Sequence, residues 1–260
     1  MSLAAIEIQG LSKRFRIPRE KRRTIYEHLL GILRRDGRDY DTFEALSVIS
    51  LSIRKGETLG VIGPNGSGKS TLLKLLAGVL YPDAGSIRVE GRVASFLELG
   101  VGFQPELTAR DNIYLYASIM GLPRREVDRR YERILDFAEL RRFQRMRLRN
   151  FSSGMYVRLA FSVAIETNPD ILLLDEVFAV GDEAFQEKCA GRIEEFRRLG
   201  KTIIFVSHDM AAVRKLCEKS ILLSGGRITM AGRTPAVIEA YERDVGAQKS
   251  PDRPMPVELP

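Results

Sequence analysis

Residues 58–71 read Thr-Leu-Gly-Val-Ile-Gly-Pro-Asn-Gly-Ser-Gly-Lys-Ser-Thr, and their order decides the fold. Thr58–Ile62 is a short apolar run, the pattern of a buried strand. Gly63, Pro64, Asn65, Gly66, Ser67 and Gly68 break it. Lys69, Ser70 and Thr71 then open a segment in which Leu72, Leu73, Leu75 and Leu76 recur at helical spacing. Strand, glycine turn and helix in this order make a phosphate-binding loop. The glycines let successive backbone N–H groups converge on a phosphate, and the helix N-terminus adds partial positive charge. In such a loop the Lys69 amine reaches the β and γ phosphates and the Ser70 hydroxyl ligates Mg²⁺.

Downstream, Ile171, Leu172, Leu173 and Leu174 lead into the paired carboxylates Asp175 and Glu176. A buried strand ending in acids places them at its carboxyl edge, where α/β sheets bind ligands. Asp175 is the candidate to hold Mg²⁺ through its water shell, and Glu176 to orient and polarise the attacking water. Around these motifs, strands are expected over 4–17, 43–62, 93–97, 170–175, 202–206 and 220–224. Helices are expected over 153–167, 183–199 and 209–218, with helical pattern dominating 106–149. Strands alternating with helices imply a largely parallel sheet covered on both faces.

The 260 residues carry a net charge of +7, and its source is local. Between Lys13 and Arg38 ten cations face only Glu20, Glu27 and Asp36, an excess of seven. The cluster reads as a basic insertion, about 17–42, with a short amphipathic helix on Ile25, Leu29, Ile32 and Leu33. It is either a solvated face or one that meets an anionic surface. Cys189 and Cys217 lack metal-ligand spacing, which argues against a zinc site or disulfide framework and for a reducing compartment. Nowhere do about 18 consecutive apolar residues occur, so a membrane role requires a partner. Four prolines between Gly246 and Pro260 point to a disordered tail or a truncated linker over 244–260.

Asn150-Phe-Ser-Ser-Gly-Met-Tyr-Val-Arg158 resembles the signature motif of ABC ATPases, which usually reads Leu-Ser-Gly-Gly-Gln. Ser152 and Gly154 match, while Phe151, Ser153 and Met155 depart. The resemblance covers about residues 4–240. It implies an α/β fold: a P-loop (RecA-like), mostly parallel sheet with an N-terminal antiparallel β subdomain and an inserted helical subdomain near 102–151, all in one domain spanning 1–243. It further implies that Ser152, Ser153, Gly154 and Met155 cap the γ phosphate of ATP bound to a second copy. Asp182 then resembles the D-loop aspartate, and Val206-Ser-His208-Asp the switch histidine segment that senses the γ phosphate. Phe15 takes the place of the adenine-stacking aromatic, with Tyr40 and Phe43 as competitors. The glutamine-loop position falls on Glu98, or on Gln104 six residues later.

Within that family, "FEALSVISLSIRKGETLGVIGPNGSGKSTLLKLLAG", "ELTARDNIYL" and "DEVFAVGD" are similar to the ATPase subunits of bacterial polysaccharide exporters, of the O-antigen and teichoic acid types. The resemblance implies ATP and Mg²⁺ as ligands, an ATP-sandwich homodimer, and a separate integral membrane subunit. The cargo would be a lipid-linked polysaccharide, with the chain peripheral on the cytoplasmic face of the cell membrane and no nucleic acid partner. An ABC exporter of another cargo, such as a lipid or drug, and a soluble ABC ATPase acting on ribosomes or DNA stay as alternatives.

Overall fold

The computed structural model describes residues 3–18, 40–97, 99–175 and 182–249. Glu98, Glu176 and the helix expected within the basic insertion therefore lie outside the described residues. Two sheets organise the chain. β1 (Ala4–Pro18), β2 (Tyr40–Arg54) and β4 (Ala84–Val89) form an antiparallel sheet in the order β2-β1-β4. The stretch 43–62, expected as strand, changes sheets at the Lys55–Gly56 turn, where Gly56 has φ +78°. It then continues as β3 (Thr58–Ile62) in a six-stranded sheet.

That sheet also contains β5 (Val93–Ser95), β6 (Ile171–Asp175), β7 (Thr202–Val206), β8 (Lys219–Ser224) and β9 (Arg227–Arg233), in the order β5-β6-β7-β3-β8-β9. All neighbours are parallel except β8 and β9. Because side chains alternate along a strand, the central strands split between two cores. Leu172, Leu174, Ile203 and Phe205 pack on one side; Leu59, Val61, Leu173, Ile204 and Val206 pack on the other. The second core continues into Ile6, Ile8, Leu46 and Ile49 of the antiparallel sheet and into the leucines of α1 (Lys69–Leu76).

The first core is covered by α2 (Ala109–Ile119) and α3 (Arg124–Ala138), which fall between 102 and 151, and by α4 (Ser153–Glu166), where a helix was expected over 153–167. Thr108 caps α2 by accepting from the Asp111 N–H at 3.2 Å. Two short 3₁₀ turns, Arg141–Phe143 and Leu148–Asn150, lead into α4. α5 (Glu183–Arg198), α6 (Met210–Leu216) and α7 (Thr234–Lys249) complete the chain. Buried Val237 and Ile238 anchor the start of α7 to the core, and the helix runs to Lys249. Both cysteines are buried, and burial pushes each thiol up to about 12, which keeps them out of thiolate chemistry.

Between β1 and β2 the register slips, and Val48 takes up the slack with φ +51°. Its N–H donates to the buried Ser12 hydroxyl at 3.0 Å, while its side chain is 71 % exposed. A β-branched residue in the left-handed region costs about 1 kcal/mol, and this one recovers little by burial. Val48→Asn should therefore raise Tm by about 2 °C, checked by thermal unfolding. An unchanged or lower Tm would show that the position carries no relievable strain.

Candidate nucleotide site

The parallel register brings the functional ends together. Val61 of β3 pairs with Val206 of β7, and Val206 pairs with Asp175 of β6, so the loop after β3, the acid of β6 and the segment after β7 emerge at one edge. Residues 63–68 are wedged there between β8 and β2. A Cβ on Gly63 would lie 2.0 Å from the Leu223 carbonyl, and one on Gly68, at φ +105°, would lie 2.6 Å from the Ala45 carbonyl. Only glycine fits at these two places, where the loop backbone passes against neighbouring carbonyls.

Lys69 is buried, and its amine donates to the Gly63 and Pro64 carbonyls at 2.8 and 2.9 Å. The charge is thus stored inside the loop that an anion would approach. The Ser70 hydroxyl donates to Asp175 Oδ2 at 3.4 Å, long for such a bond, which sets two hard oxygens side by side across the sheet edge. Ser67 Oγ is buried with no partner among the described residues. At the far end, the Ser207 hydroxyl accepts from the Asp209 N–H at 3.0 Å. Asp209 in turn caps α6 by accepting from Ala211 and Ala212. That double clamp holds His208 out at the mouth of the same space. The resulting cleft has a volume of about 570 Å³, with Lys69, Ser70, Asp175 and His208 on its floor and sides and Phe43 on its wall.

Asn65, Gly66, Ser67, Gly68 and Thr71 line the cleft, and the Gly63 and Pro64 carbonyls accept from the Lys69 amine beside it. Phe15 is the cross-strand partner of Phe43 in the β1–β2 pair, and the exposed ring on the cleft wall is that of Phe43. Ala45, which also lines the cleft, was missed by sequence reasoning; only the non-local pairing of β2 places it there. Gln104 is exposed, and its backbone is tied to the buried Asn112 side chain, its N–H donating to Oδ1 at 2.7 Å. The preceding turn is fastened to α4 by the Tyr156 hydroxyl, which donates to the Gly100 carbonyl at 2.9 Å.

Ser152, Ser153, Gly154 and Met155 sit elsewhere, in a second cleft of about 700 Å³ that shares no lining residue with the first. Ser152 caps α4, its hydroxyl accepting from the Met155 N–H at 3.2 Å. Asp182 caps α5 by accepting from Phe185 at 3.0 Å, and its other oxygen receives Arg158 at 2.5 Å. Arg158 also donates to Glu139 at 2.8 Å. Hydrogen bonds from Lys188, first, and Arg158 hold the Glu139 carboxyl below the usual carboxylate range.

Comparison with known proteins agrees with these observations. The sequence profile of the ABC transporter family matches residues 46–179. The "ABC transporter protein AbcA" of Aeromonas salmonicida is 44 % identical over 243 residues, 94 % of this chain and 77 % of that one. The "O-antigen export system ATP-binding protein RfbB" of Klebsiella pneumoniae is 50 % identical over 199 residues, 76 % of this chain and 81 % of that one. The "Teichoic acids export ATP-binding protein TagH" of Listeria innocua is 37 % identical over 219 residues, covering 84 % of this chain and 65 % of that protein. Among solved structures, a dimeric ATP-binding cassette in a post-hydrolysis state, bound to ADP and Pi, superposes with TM-score 0.68 at 23 % identity. That match covers 88 % of this chain and 98 % of the other, and it shows the fold. With the phosphate loop, Asp175 and His208 gathered at one sheet edge, the chain belongs to the ABC transporter family, as one of its ATP-hydrolysing subunits.

Proposed function

We propose that this chain powers export of a lipid-linked polysaccharide, of the O-antigen or teichoic acid type, by hydrolysing ATP between two head-to-tail copies under a separate membrane subunit. The observation that carries the head-to-tail reading is the separation of the two clefts. The phosphate loop and the signature segment line different clefts of the chain, and two copies facing head to tail would let each copy complete the other's site. The cargo reading is supported by the relatives named for O-antigen and teichoic acid export, which are 50 % and 37 % identical.

In this reading the Lys69 amine exchanges its two loop carbonyls for phosphate oxygens, and the Phe43 ring stacks on adenine, with Phe15 supporting it across the hairpin. Ser70 and Asp175 offer the hydroxyl and carboxylate that suit Mg²⁺, and would hold it. Bound there, Mg²⁺ would neutralise phosphate charge. Glu176, directly after Asp175 in the sequence, orients and polarises the attacking water, and His208 senses the γ phosphate. Ser152, Ser153, Gly154 and Met155 cap that phosphate from the second copy, with Asp182 at the seam. Glu98 takes the glutamine-loop position. Loss of γ-phosphate contacts on hydrolysis then lets the copies part, and the helices between 102 and 151 pass that motion to the membrane subunit. In this reading the chain is peripheral on the cytoplasmic face of the membrane; among its described residues no helix is long and apolar enough to cross one.

Glu176→Gln should lower turnover by about a hundredfold or more while leaving an ATP-stabilised dimer visible by size-exclusion chromatography. Normal turnover would remove Glu176 from its role. Lys69→Ala should weaken ATP binding by about tenfold to a hundredfold in a titration with a fluorescent ATP analogue, because a charge-assisted pair of contacts is lost. For the cargo, deleting the chain from its host should trap lipid-linked polymer inside the cell. A surface polysaccharide that stays unchanged would rule this cargo out.

A further inference from the structure

The cleft around Ser152–Met155 contains a charge that the signature segment does not account for. Two arginines line it, and their situations differ. Arg158 is spent on Glu139 and Asp182. Arg142 is exposed, and among the described residues it has no carboxylate partner. Its guanidinium is held over the Phe143 ring, 4.7 Å from the centroid, so it is pre-oriented without being neutralised. Its neighbour Arg141 shows the alternative, since it pairs with Asp136 and Glu132. In the segment beside Arg142 the Ser152 hydroxyl oxygen accepts from the Met155 N–H, and Met155 itself offers a thioether where the usual motif has an amide donor.

We propose that Arg142 is a further nucleotide-binding residue, which contacts the ATP held on the other copy's phosphate loop. The inference rests on the head-to-tail reading above. A guanidinium in this cleft supplies up to five donors and a full positive charge to a polyanion that arrives with its γ phosphate toward Ser152, and so substitutes for the amide that Met155 lacks. Arg142 acts in trans, because the cleft it lines is separate from the chain's own phosphate loop.

The test is a mixing experiment on the full chain. Arg142→Ala alone should lower ATPase turnover by about tenfold, with binding of a fluorescent ATP analogue to the monomer unchanged, and Arg142→Lys should recover part of the loss. Mixed with Glu176→Gln, which keeps Arg142 and cannot turn over, the alanine variant should regain activity above the sum of the two alone. In the mixed dimer its own phosphate loop and Glu176 again meet an Arg142 from the other copy. Parental turnover by Arg142→Ala, or a mixture no more active than its parts, would overturn the proposal. Failure of the head-to-tail reading itself would look different: the parent chain would then form no ATP-dependent dimer at all.

Discussion

Strand β3 is hydrogen-bonded in parallel to β7 on one side and to β8 on the other, and the site depends on that double pairing. It fixes the height at which the phosphate loop leaves the sheet relative to Asp175 and to the Ser207–Asp209 turn. A parallel strand buried on both faces tolerates no register slip, because a shift by one residue would exchange the two sets of side chains that fill the separate cores. The same burial makes Gly63 and Gly68 obligatory, since the loop must pass within contact distance of the Leu223 and Ala45 carbonyls. Core packing and phosphate chemistry are thus set by one constraint.

The antiparallel sheet has another task. Its long β1–β2 pair carries Phe43 to the wall of the cleft, so a subdomain whose core is shared with α1 also shapes the space beside the phosphate loop. The helices from α2 to α4 form the opposite arm, with Tyr156 fastening the turn after β5 and Arg158 joining α4 to Glu139 and Asp182. Movement of this arm is therefore felt at the turn after β5 and at the entry to α5.

Much of this was legible in the sequence where the physics is local. The apolar run, glycine turn and leucine-rich segment over 58–76 are found as strand, turn and helix, and the run 171–175 as a strand, because fully buried strands write continuous apolar runs. β7 was expected and found at Thr202–Val206. β4 and β9 were not expected. Both are largely exposed, and β4 contains Ala84, Gly85 and Ser86, so neither carries a strong apolar signature; pairing with β1 and β8 makes them strands. The aromatic on the cleft wall was ambiguous for a similar reason. Phe15 and Phe43 are cross-strand partners, and only the register and bulges of a long hairpin decide which ring is presented. Arg142 was illegible in a segment dense with arginines, since only pairing distinguishes it from Arg141.

The central claim is that one chain holds two half-sites and that chemistry needs two chains. Its most direct measurement is the initial ATPase rate at saturating ATP as a function of protein concentration, below the concentration at which dimers predominate. The expected result is a rate that rises with the square of protein concentration and then turns linear. A rate strictly proportional to concentration throughout, from a chain that light scattering shows to be monomeric under turnover, would contradict it.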